Sequence, residues 1–399
     1  MIIPPREGKS CSMSASLKEV KTRFTQLFSA DPVIVRAPGR INLIGEHTDY
    51  NGGFVMPAAI NYDTVFAIGD AGDGVSEVFS VKYNESFVFD IENPQPVSSP
   101  AWANYLLGVL KQVKMKGLEV KPFKCAFGGD VPLGAGLSSS ASVECGFAFA
   151  LNEFNNLGLS KETMVHMAQW AEHNFAGVKC GIMDQFASMM GKKGHVIVLD
   201  CRSLEYHYSP LDLPNHDVVL CDTRVKHSLV DSEYNTRRQE CEKAVTVLRK
   251  HFSKVASLRD VSEEMLQAHK NDLPGKVFDR ALYVVQEIKR VQEASEDLKA
   301  NRLEDFGKKM YETHEGLSKL YQVSCPELDF LVEQAHKHSV VGARMMGGGF
   351  GGCTINIVEK NKTTAFINSV ADAYQKQFDL EMHTYVVSIE DGTGLIGDR

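Results

Sequence analysis

The 399-residue sequence lacks any long hydrophobic run. Its longest apolar stretches, residues 54–60 and 147–151, are far shorter than the roughly 20 residues that a membrane-spanning helix needs. The N-terminal residues, M-I-I-P-P-R-E-G-K-S-C-S, contain no continuous apolar segment of the kind found in a secretory signal. These absences predict a cytoplasmic protein that has no membrane partner.

The sequence also lacks an excess of positive charge. Its 43 Lys and Arg residues are outnumbered by 51 Asp and Glu residues, so the formal net charge is −8 with neutral histidines. Proteins that bind nucleic acids are typically basic, and this balance therefore argues against a nucleic-acid partner. The nine cysteines include no C-x-x-C pair, which predicts a reduced protein without structural disulfides or a zinc site.

What remains is an ordinary globular composition, with 43% hydrophobic and 24% charged residues. Residues 1–20 are polar and are predicted to form a flexible N-terminus, which is followed by lobes over 21–205 and 206–399. Strand-like and helix-like segments alternate irregularly along both lobes. This order favours an α+β fold over a regular array of β-α-β units.

The loop at 130–144, D-V-P-L-G-A-G-L-S-S-S-A-S-V-E, has the composition of an anion-binding site. Its glycines let the backbone approach a ligand, and its serines supply hydroxyl groups and a helix N-cap. The residues concerned are Gly134, Gly136, Ser138, Ser139 and Ser140. Backbone N–H groups at a helix N-terminus bind anions, although a simple capping turn would use the same residues. The loop matches neither the G-x-x-x-x-G-K-[ST] pattern nor the G-x-G-x-x-G dinucleotide fingerprint.

A second polar segment lies at 36–53, R-A-P-G-R-I-N-L-I-G-E-H-T-D-Y-N-G-G. Its polar side chains include two carboxylates and an imidazole in a loop between glycines. They are Arg40, Asn42, Glu46, His47, Asp49, Tyr50 and Asn51. Carboxylates accept hydrogen bonds from neighbouring hydroxyls, whereas imidazole and amide groups both donate and accept. This mixture suits a polyhydroxylated ligand such as a sugar, and the alternative is a solvated surface loop.

Two further segments carry carboxylates and glycines. Glu172 is predicted on the polar side of a helix over 160–177, from which it could reach a cation. Asp184 lies in the first turn of a short helix over 183–190, where a carboxylate alone is more often only a stabilising helix charge. Near the C-terminus, the segment G-A-R-M-M-G-G-G-F-G-G at 342–352 has five glycines among the six residues from Gly347. These six residues are too rich in glycine for a helix or strand and predict a loop of close backbone approach.

In this order, the four segments resemble the motifs of the GHMP small-molecule kinases and, within that superfamily, of the galactokinase family, over essentially the whole chain. G-R-I-N-L-I-G-E-H-T-D-Y-N-G-G resembles the galactokinase signature, and P-L-G-A-G-L-S-S-S-A-S resembles the phosphate loop. C-G-I-M-D-Q resembles the segment with the catalytic aspartate, and R-M-M-G-G-G-F-G-G-C resembles the third motif. The third motif departs from the family at one position, because Met346 stands where the family usually has threonine.

The resemblance implies an N-terminal GHMP-kinase lobe and a ferredoxin-like C-terminal lobe, with the active site between them. It implies a monomeric enzyme that uses ATP and Mg²⁺ to phosphorylate the anomeric hydroxyl of D-galactose, yielding galactose 1-phosphate in the first step of galactose catabolism. Two alternatives stay open: a kinase of the same superfamily for N-acetylgalactosamine or arabinose, and a non-catalytic galactose sensor. The sensor is less favoured, since a sensor would be expected to have lost the loop serines or Asp184.

The resemblance also implies roles for individual residues. Asp184 would accept the proton of the sugar hydroxyl, either as a full base or mainly by positioning it, and Arg40 would keep Asp184 ionised and stabilise the transferred phosphoryl group. Ser140 and Glu172 would hold Mg²⁺. The implied sugar-binding residues are Glu46, His47, Thr48, Asp49, Gly181 and Tyr234. The implied ATP-binding residues are Gly134, Ala135, Gly136, Leu137, Ser138, Ser139, Ser140, Trp102 and Asn104, with Tyr105 beside them.

Overall fold

The computed structural model describes residues 2–3, 15–28, 30–72, 74–225 and 230–397. The helices are α1 (Ala15–Leu27), α2 (Ala103–Met115), α3 (Ser139–Asn155), α4 (Lys161–Ala171), α5 (Met183–Met190), α6 (Val230–Arg249), α7 (Glu263–Ala268), α8 (Val277–Lys299), α9 (Leu303–Glu315), α10 (Pro326–Lys337) and α11 (Thr363–Phe378). π-Helical turns continue α4 over Glu172–Ala176 and α9 over Gly316–Tyr321, and short 3-10 turns lie at Asp49–Asn51, Leu258–Asp260, Lys270–Asp272 and Lys360–Lys362.

The strands form three sheets. They are β1 (Ile2–Ile3), β2 (Val33–Asn42), β3 (Phe54–Val55), β4 (Pro57–Asp70), β5 (Ser76–Ser80), β6 (Glu85–Phe89), β7 (Phe123–Gly129), β8 (His195–Asp200), β9 (Tyr206–Pro210), β10 (His216–Asp222), β11 (Gly342–Met345), β12 (Cys353–Glu359), β13 (His383–Val387) and β14 (Gly394–Leu395). The smallest sheet has the order β3-β8-β9. The mixture of helices and antiparallel strands confirms the predicted α+β class.

The N-terminal lobe is built on a six-stranded sheet in the order β14-β2-β4-β7-β5-β6. Strand β2 runs antiparallel to β4, and the register between them shifts between Pro38 and Arg40. Beyond this irregularity, the backbone N–H of Arg40 donates to the carbonyl of Leu137 at 3.2 Å. Irregularities of this kind redirect side chains, and here the shift brings Arg40 beside the loop that follows β7.

The C-terminal sheet has the order β1-β13-β10-β12-β11. Apart from β1, this is the arrangement of a β-α-β-β-α-β unit whose strands, in chain order, are β10, β11, β12 and β13. The helices α8, α9 and α10 precede β11, and α11 connects β12 to β13. Strands β11 and β12 form a hairpin that encloses the glycine-rich loop 346–352. The predicted ferredoxin-like lobe is therefore confirmed.

The two lobes share a hydrophobic core. One buried cluster combines Ile41 and Ile44 of the first lobe with Ile355 and Tyr385 of the second. The cleft between the lobes is therefore held by packed apolar side chains on its inner side. The lobe boundary placed at residue 205 falls between the paired strands β8 and β9 and stays a prediction.

The prediction of a flexible segment up to residue 20 is wrong for its last residues, because α1 begins at Ala15. The apolar side chains of Leu17, Val20 and Phe24 lie on one face of α1 and pack with Val65 of the N-terminal sheet. This burial fixes the start of the helix. Residues 4–14 lie outside the described residues.

The C-terminal tail returns to the N-terminal lobe, where β14 pairs with the edge of β2. Thr393 donates its backbone N–H and its hydroxyl to the carbonyl of Ser188 in α5, at 2.8 and 2.9 Å. The N–H of Gly392 donates to the carbonyl of Gly191 at 2.8 Å. The last carbonyls of a helix have no hydrogen-bond partner within the helix, so the tail supplies donors to the carbonyls at the end of α5.

Two local predictions along the chain hold. The helix predicted over 160–177 is α4 with its π-helical turn, and Gly177 ends it with a φ of 83°. The short helix predicted over 183–190 is α5. No helix among the described residues has both the length and the apolar character that crossing a membrane requires.

Candidate active site

The phosphate loop, residues 130–138, joins β7 to α3 and borders the cleft between the lobes. Gly134 and Gly136 have φ values of 76° and 74°, which glycine adopts without strain. Ser138 is also left-handed, with φ at 56°, and its hydroxyl does not cap α3. Ser138 is therefore the N-cap residue by position, as predicted for these serines, but its side chain makes no capping hydrogen bond. The Ser138 hydroxyl instead donates to Oδ2 of Asp184 at 2.5 Å, and the first turn of α3 keeps its N–H groups for a ligand.

Arg40 and Asp184 form a two-point ion pair at the wall of the cleft. Nε of Arg40 donates to Oδ1 at 2.8 Å, and Nη2 donates to Oδ2 at 3.0 Å. The remaining nitrogen, Nη1, donates to the carbonyl of Gly136 and links the pair to the phosphate loop. The Arg40 side chain is 5% exposed and that of Asp184 is 25% exposed. The carboxylate therefore faces the cleft while the guanidinium supports it from behind.

Glu172 begins the π-helical turn after α4, and it is buried instead of facing water. The polar side of this helix, where Glu172 was predicted, faces polar side chains of α3 and α5 instead of solvent. Oε1 accepts from the Ser140 hydroxyl at 2.8 Å, and Oε2 accepts from Nε2 of Gln185 at 2.6 Å. Burial raises the pKa of Glu172 to about 7, against the lowering effect of the Ser140 hydrogen bond.

Glu46 is held in place by the second lobe. Arg344 donates from Nη1 and Nη2 to Oε1 of Glu46 at 3.1 and 3.2 Å, and the N–H of Gly347 donates to the same oxygen at 2.9 Å. Arg344 also donates to the carbonyls of Asn42 and Leu43. These bonds tie the polar loop of the first lobe to the hairpin β11–β12. They leave Glu46 buried at the cavity wall.

Thr48 shapes the polar loop and does not line the cavity. Its hydroxyl lies 2.9 Å from the carbonyl of Gly45 and 2.6 Å from that of Phe54. These two acceptors engage the hydroxyl within the fold, and the sugar contact implied for Thr48 stays a prediction. Asn51 has a similar role, because its Nδ2 donates to the carbonyl of His47 at 2.9 Å.

His47 lies at the end of a chain of buried polar groups. Its Nδ1 is 2.7 Å from the Tyr50 hydroxyl, which is 2.7 Å from the Tyr321 hydroxyl, which is 3.2 Å from Sγ of Cys241. Burial and the charge of Arg237 lower the pKa of His47 to about 3, so its imidazole is neutral. The other ring nitrogen, Nε2, is buried without a hydrogen-bond partner. A ligand hydroxyl would satisfy it.

Asp49, Gly181 and Tyr234 line the same cavity as His47. A Cβ added at Gly181 would overlap the carboxylate of Asp49, so only glycine allows this approach. The ring of Tyr234 packs against Gly348 and lies 5.4 Å from the His47 ring, measured between centres. Burial and the nearby Asp184 carboxylate raise the pKa of Asp49 to about 7.

Two cavities meet in the cleft. The smaller, of about 130 Å³, is lined by polar side chains that include Arg40, Glu46, His47, Asp49, Glu172, Asp184 and Tyr234. The larger, of about 240 Å³, is lined by aromatic, apolar and hydroxyl groups that include Trp102, Tyr105, Phe127, Val131, Ser139 and Ser140. The hydrogen bond between Ser140 and Glu172 connects them, because Ser140 lines the larger cavity and Glu172 the smaller.

Not every implied nucleotide contact lines the larger cavity. Asn104 bonds the backbone of Val97 through both ends of its amide, at 2.8 and 2.9 Å, and therefore shapes the loop before α2. Ala135 and Leu137 are buried in the shared core, so only their backbone is placed to meet a phosphate. Trp102 lines the cavity and donates from Nε1 to Glu85 at 2.6 Å.

Met346 shows how the third motif tolerates its missing threonine. Its side chain is 1% exposed and lies in the cluster that contains Ala135 and Leu137. The glycines around it bring the two loops together, since a Cβ on Gly136 would lie 3.2 Å from the Met346 carbonyl. The glycine-rich loop closes against the phosphate loop, as expected, while the methionine side chain points into the core.

The residues that support the cavity from behind were not predicted. Arg344 stands in the quoted R-M-M-G-G-G motif, and an arginine inside a buried strand is the signal that could have marked it. Tyr321 and Cys241 have no such signal, because they come from distant segments that only the fold brings to Tyr50.

Comparison with known proteins agrees with this geometry. Family models match three stretches of the chain: the galactokinase galactose-binding signature over 22–70, the GHMP kinase N-terminal domain over 104–192 and the GHMP kinase C-terminal domain over 294–376. The fold superposes on a mevalonate kinase from Methanococcus jannaschii with a TM-score of 0.63 and 19% identity, over 90% of this chain and 99% of that one. The fold and the two loops define a GHMP kinase.

More similar relatives show which family of GHMP kinases the chain belongs to. A galactokinase from Roseiflexus sp. (strain RS-1) is 40% identical over 383 residues, which cover 96% of this chain and 97% of the relative. One from Thermotoga neapolitana is 41% identical, covering 90% of this chain and 98% of its own. The crystal structure of Lactococcus lactis galactokinase complexed with galactose superposes with a TM-score of 0.90 and 33% identity, over 95% of this chain and 100% of that one. The chain belongs to the galactokinase family and is a kinase.

Proposed function

We propose that this kinase transfers the γ-phosphoryl group of ATP to the anomeric hydroxyl of D-galactose in the cleft between its lobes. The observation that carries the proposal is the Arg40–Asp184 pair, which joins the polar cavity to the phosphate loop through Ser138 and Gly136. ATP fits the larger cavity, with its phosphates at the first turn of α3. The enzyme acts as a cytoplasmic monomer on small molecules alone.

Asp184 accepts the hydroxyl proton as the sugar oxygen bonds to the γ-phosphorus. The bond from that phosphorus to the bridging oxygen breaks, and its electron pair leaves with ADP. Phosphoryl transfer needs positioning and charge neutralisation more than covalent help. The carboxylate of Asp184, which Arg40 holds by two hydrogen bonds, positions the sugar hydroxyl. The guanidinium of Arg40 supplies positive charge beside the phosphate loop and so neutralises charge on the transferred group.

The polar cavity selects the sugar. The Tyr50 hydroxyl donates to Nδ1 of the neutral His47 ring, which leaves the ring proton on Nε2. His47 then donates from Nε2 to a sugar hydroxyl, while the carboxylates of Glu46 and Asp49 accept from others. Tyr234 covers one side of the bound sugar, and Gly181 keeps the space for Asp49.

Mg²⁺ fits between the two cavities. A hydroxyl and a carboxylate oxygen, from Ser140 and Glu172, lie 2.8 Å apart there, and Mg²⁺ prefers oxygen donors. Oε1 of Glu144 and Oε1 of Gln185 are buried nearby without hydrogen-bond partners, which also suits a polar group in this place. Bound Mg²⁺ would neutralise charge on the ATP phosphates. Glu172→Ala should raise the Mg²⁺ concentration for half activity more than it weakens galactose binding.

The activity is tested with Asp184→Asn and a panel of sugars. The wild type should form an anomeric phosphate from galactose, seen by phosphorus NMR, and should act poorly on glucose, N-acetylgalactosamine and arabinose. Asp184→Asn should bind ATP normally and lose about 10²- to 10⁴-fold in kcat. A folded variant that keeps more than about a tenth of kcat would remove Asp184 from the mechanism. Equal kcat/KM on another sugar would favour a different sugar kinase, and no turnover on any sugar would favour a sensor.

A further inference from the structure

A group of side chains able to bind metal lies outside the active site. His251 follows the end of α6, His269 follows α7, and Asp272 ends the 3-10 turn Lys270–Asp272. One ligand atom from each lies within 4.8 Å of the other two, and no comparable group of His, Cys, Asp or Glu occurs elsewhere in the described part of the chain. Tyr234, which lines the polar cavity, is about 22 Å away along α6.

We propose that His251, His269 and Asp272 form a binding site for a divalent transition-metal cation such as Zn²⁺. Two imidazole nitrogens and one carboxylate oxygen are common among zinc sites that have three protein ligands. Nitrogen donors favour Zn²⁺ over Mg²⁺, which prefers oxygen. This site therefore differs in metal preference from the oxygen pair of Ser140 and Glu172.

Two of the three distances within the group are close to those between neighbouring ligands of a small cation. Nε2 of His251 lies 3.4 Å from Oδ2 of Asp272, and Nδ1 of His269 lies 2.9 Å from the same oxygen. Bonds of roughly 2.0–2.1 Å to a tetrahedral Zn²⁺ place neighbouring ligand atoms about 3.3 Å apart. The two rings stack with centres 3.8 Å apart and planes inclined by 26°. Because stacked rings hold their lone pairs side by side, one ring must turn to admit the ion, and the partly exposed positions of both rings allow this.

Ion pairs between protonated histidines and Asp272 explain this arrangement less well than a bound cation does. Both imidazoles place a nitrogen near one carboxylate oxygen, and the contact of His269 is a hydrogen bond of 2.9 Å. If both rings were protonated, two stacked cations would share a single negative group. A bound cation instead uses the lone pairs of neutral rings together with the charge of Asp272. The side chains are 38%, 23% and 49% exposed, in the order His251, His269, Asp272. Solvent can therefore reach the site, and water can take the fourth position.

The site is tested by calorimetric titration of the full chain with ZnCl₂. The protein carries no affinity tag, has been freed of metal with a chelator, and contains no nucleotide. One equivalent should bind with a Kd below about 100 μM. His251→Asn and His269→Asn should each weaken binding about tenfold or more. His166→Asn, which changes an exposed histidine on α4, should leave the Kd unchanged.

Thermal unfolding gives a second readout, because an ion that binds only the folded chain raises Tm. Zn²⁺ should raise the Tm of the wild type and of His166→Asn by more than that of His269→Asn. Kinase activity measured without Zn²⁺ should be the same in all variants, which shows that they are folded. The proposal is overturned if Zn²⁺ binds only above about 1 mM, if both cluster variants keep the wild-type Kd, or if saturating Mg²⁺–ATP displaces the ion.

Discussion

The contact between Gly181 and Asp49 allows a sharp test of sugar recognition. Gly181→Ala adds one methyl group where the cavity floor has no room for it. The φ of Gly181 lies outside the left-handed region, so the backbone accepts alanine and the effect is steric. We expect a loss in galactose use with ATP binding unchanged, because Gly181 and Asp49 line the smaller cavity and not the larger one proposed for ATP.

The size of the effect follows from the overlap. The added Cβ would coincide with the nearer part of the Asp49 carboxylate and would lie 2.7 Å from its farther oxygen, where ordinary contact begins at 3.4 Å. Backbone hydrogen bonds from Tyr50 and Met183 hold that carboxylate. It must therefore move by on the order of 1 Å, and a displacement of that size can lower kcat/KM by about 10²-fold, or about 2.7 kcal/mol.

The assay is coupled detection of ADP with galactose varied at saturating ATP. Gly394→Ala is the matched control, since a Cβ there meets nothing within 4 Å and its φ is also outside the left-handed region. The control should behave as wild type. If folded Gly181→Ala keeps kcat/KM for galactose within about twofold of wild type, the carboxylate of Asp49 does not need the position that the structure gives it.

Three further outcomes are expected. Asp49→Asn should raise the Tm of the sugar-free protein by more at about pH 8 than at about pH 6. The reason is that the Asp49 carboxyl has a pKa raised to about 7 in the folded state, so its ionisation costs more folding stability as the pH rises through that value. An equal rise in Tm at both pH values would contradict this. Tyr50→Phe should raise the galactose KM about 2- to 12-fold by leaving His47 Nδ1 without its donor, whereas Tyr311→Phe, away from the cavity, should not. Met346→Thr should lower the free energy of unfolding by about 2 kcal/mol in a denaturant titration, since it opens a void and buries a hydroxyl; unchanged stability would refute the packing argument.

The local chemistry of the loops was readable from the sequence. Gly134 and Gly136, the serines after them and the glycines from Gly347 onward mark backbone that must approach something closely, and the fold brings these two loops together. The contact between Arg40 and Asp184 could come only from resemblance, because 144 residues separate the two positions. From the local sequence pattern alone, Asp184 would be interpreted as a carboxylate that merely stabilises the first turn of its helix.

The sequence was a poor guide where a polar side chain forms its hydrogen bonds within the fold and not with a ligand or solvent. Thr48 and Asn104 stand in motifs rich in binding residues, yet backbone carbonyls and amides of their own loops engage them. Glu172 has a polar helical position that normally faces water, but the neighbouring helices also present polar groups there. Which acceptor a short polar side chain finds depends on tertiary geometry, and hydrophobic periodicity carries no information about it.

The return of the C-terminal tail to α5 has a consequence for synthesis on the ribosome. Thr393, which satisfies the Ser188 carbonyl, is made 205 residues after Ser188, and Asp184 lies on the same helix as Ser188. Until residues 392–395 have left the exit tunnel, the end of α5 lacks these partners and β2 has an open edge. A nascent chain that has made all four motifs therefore still lacks a finished catalytic helix.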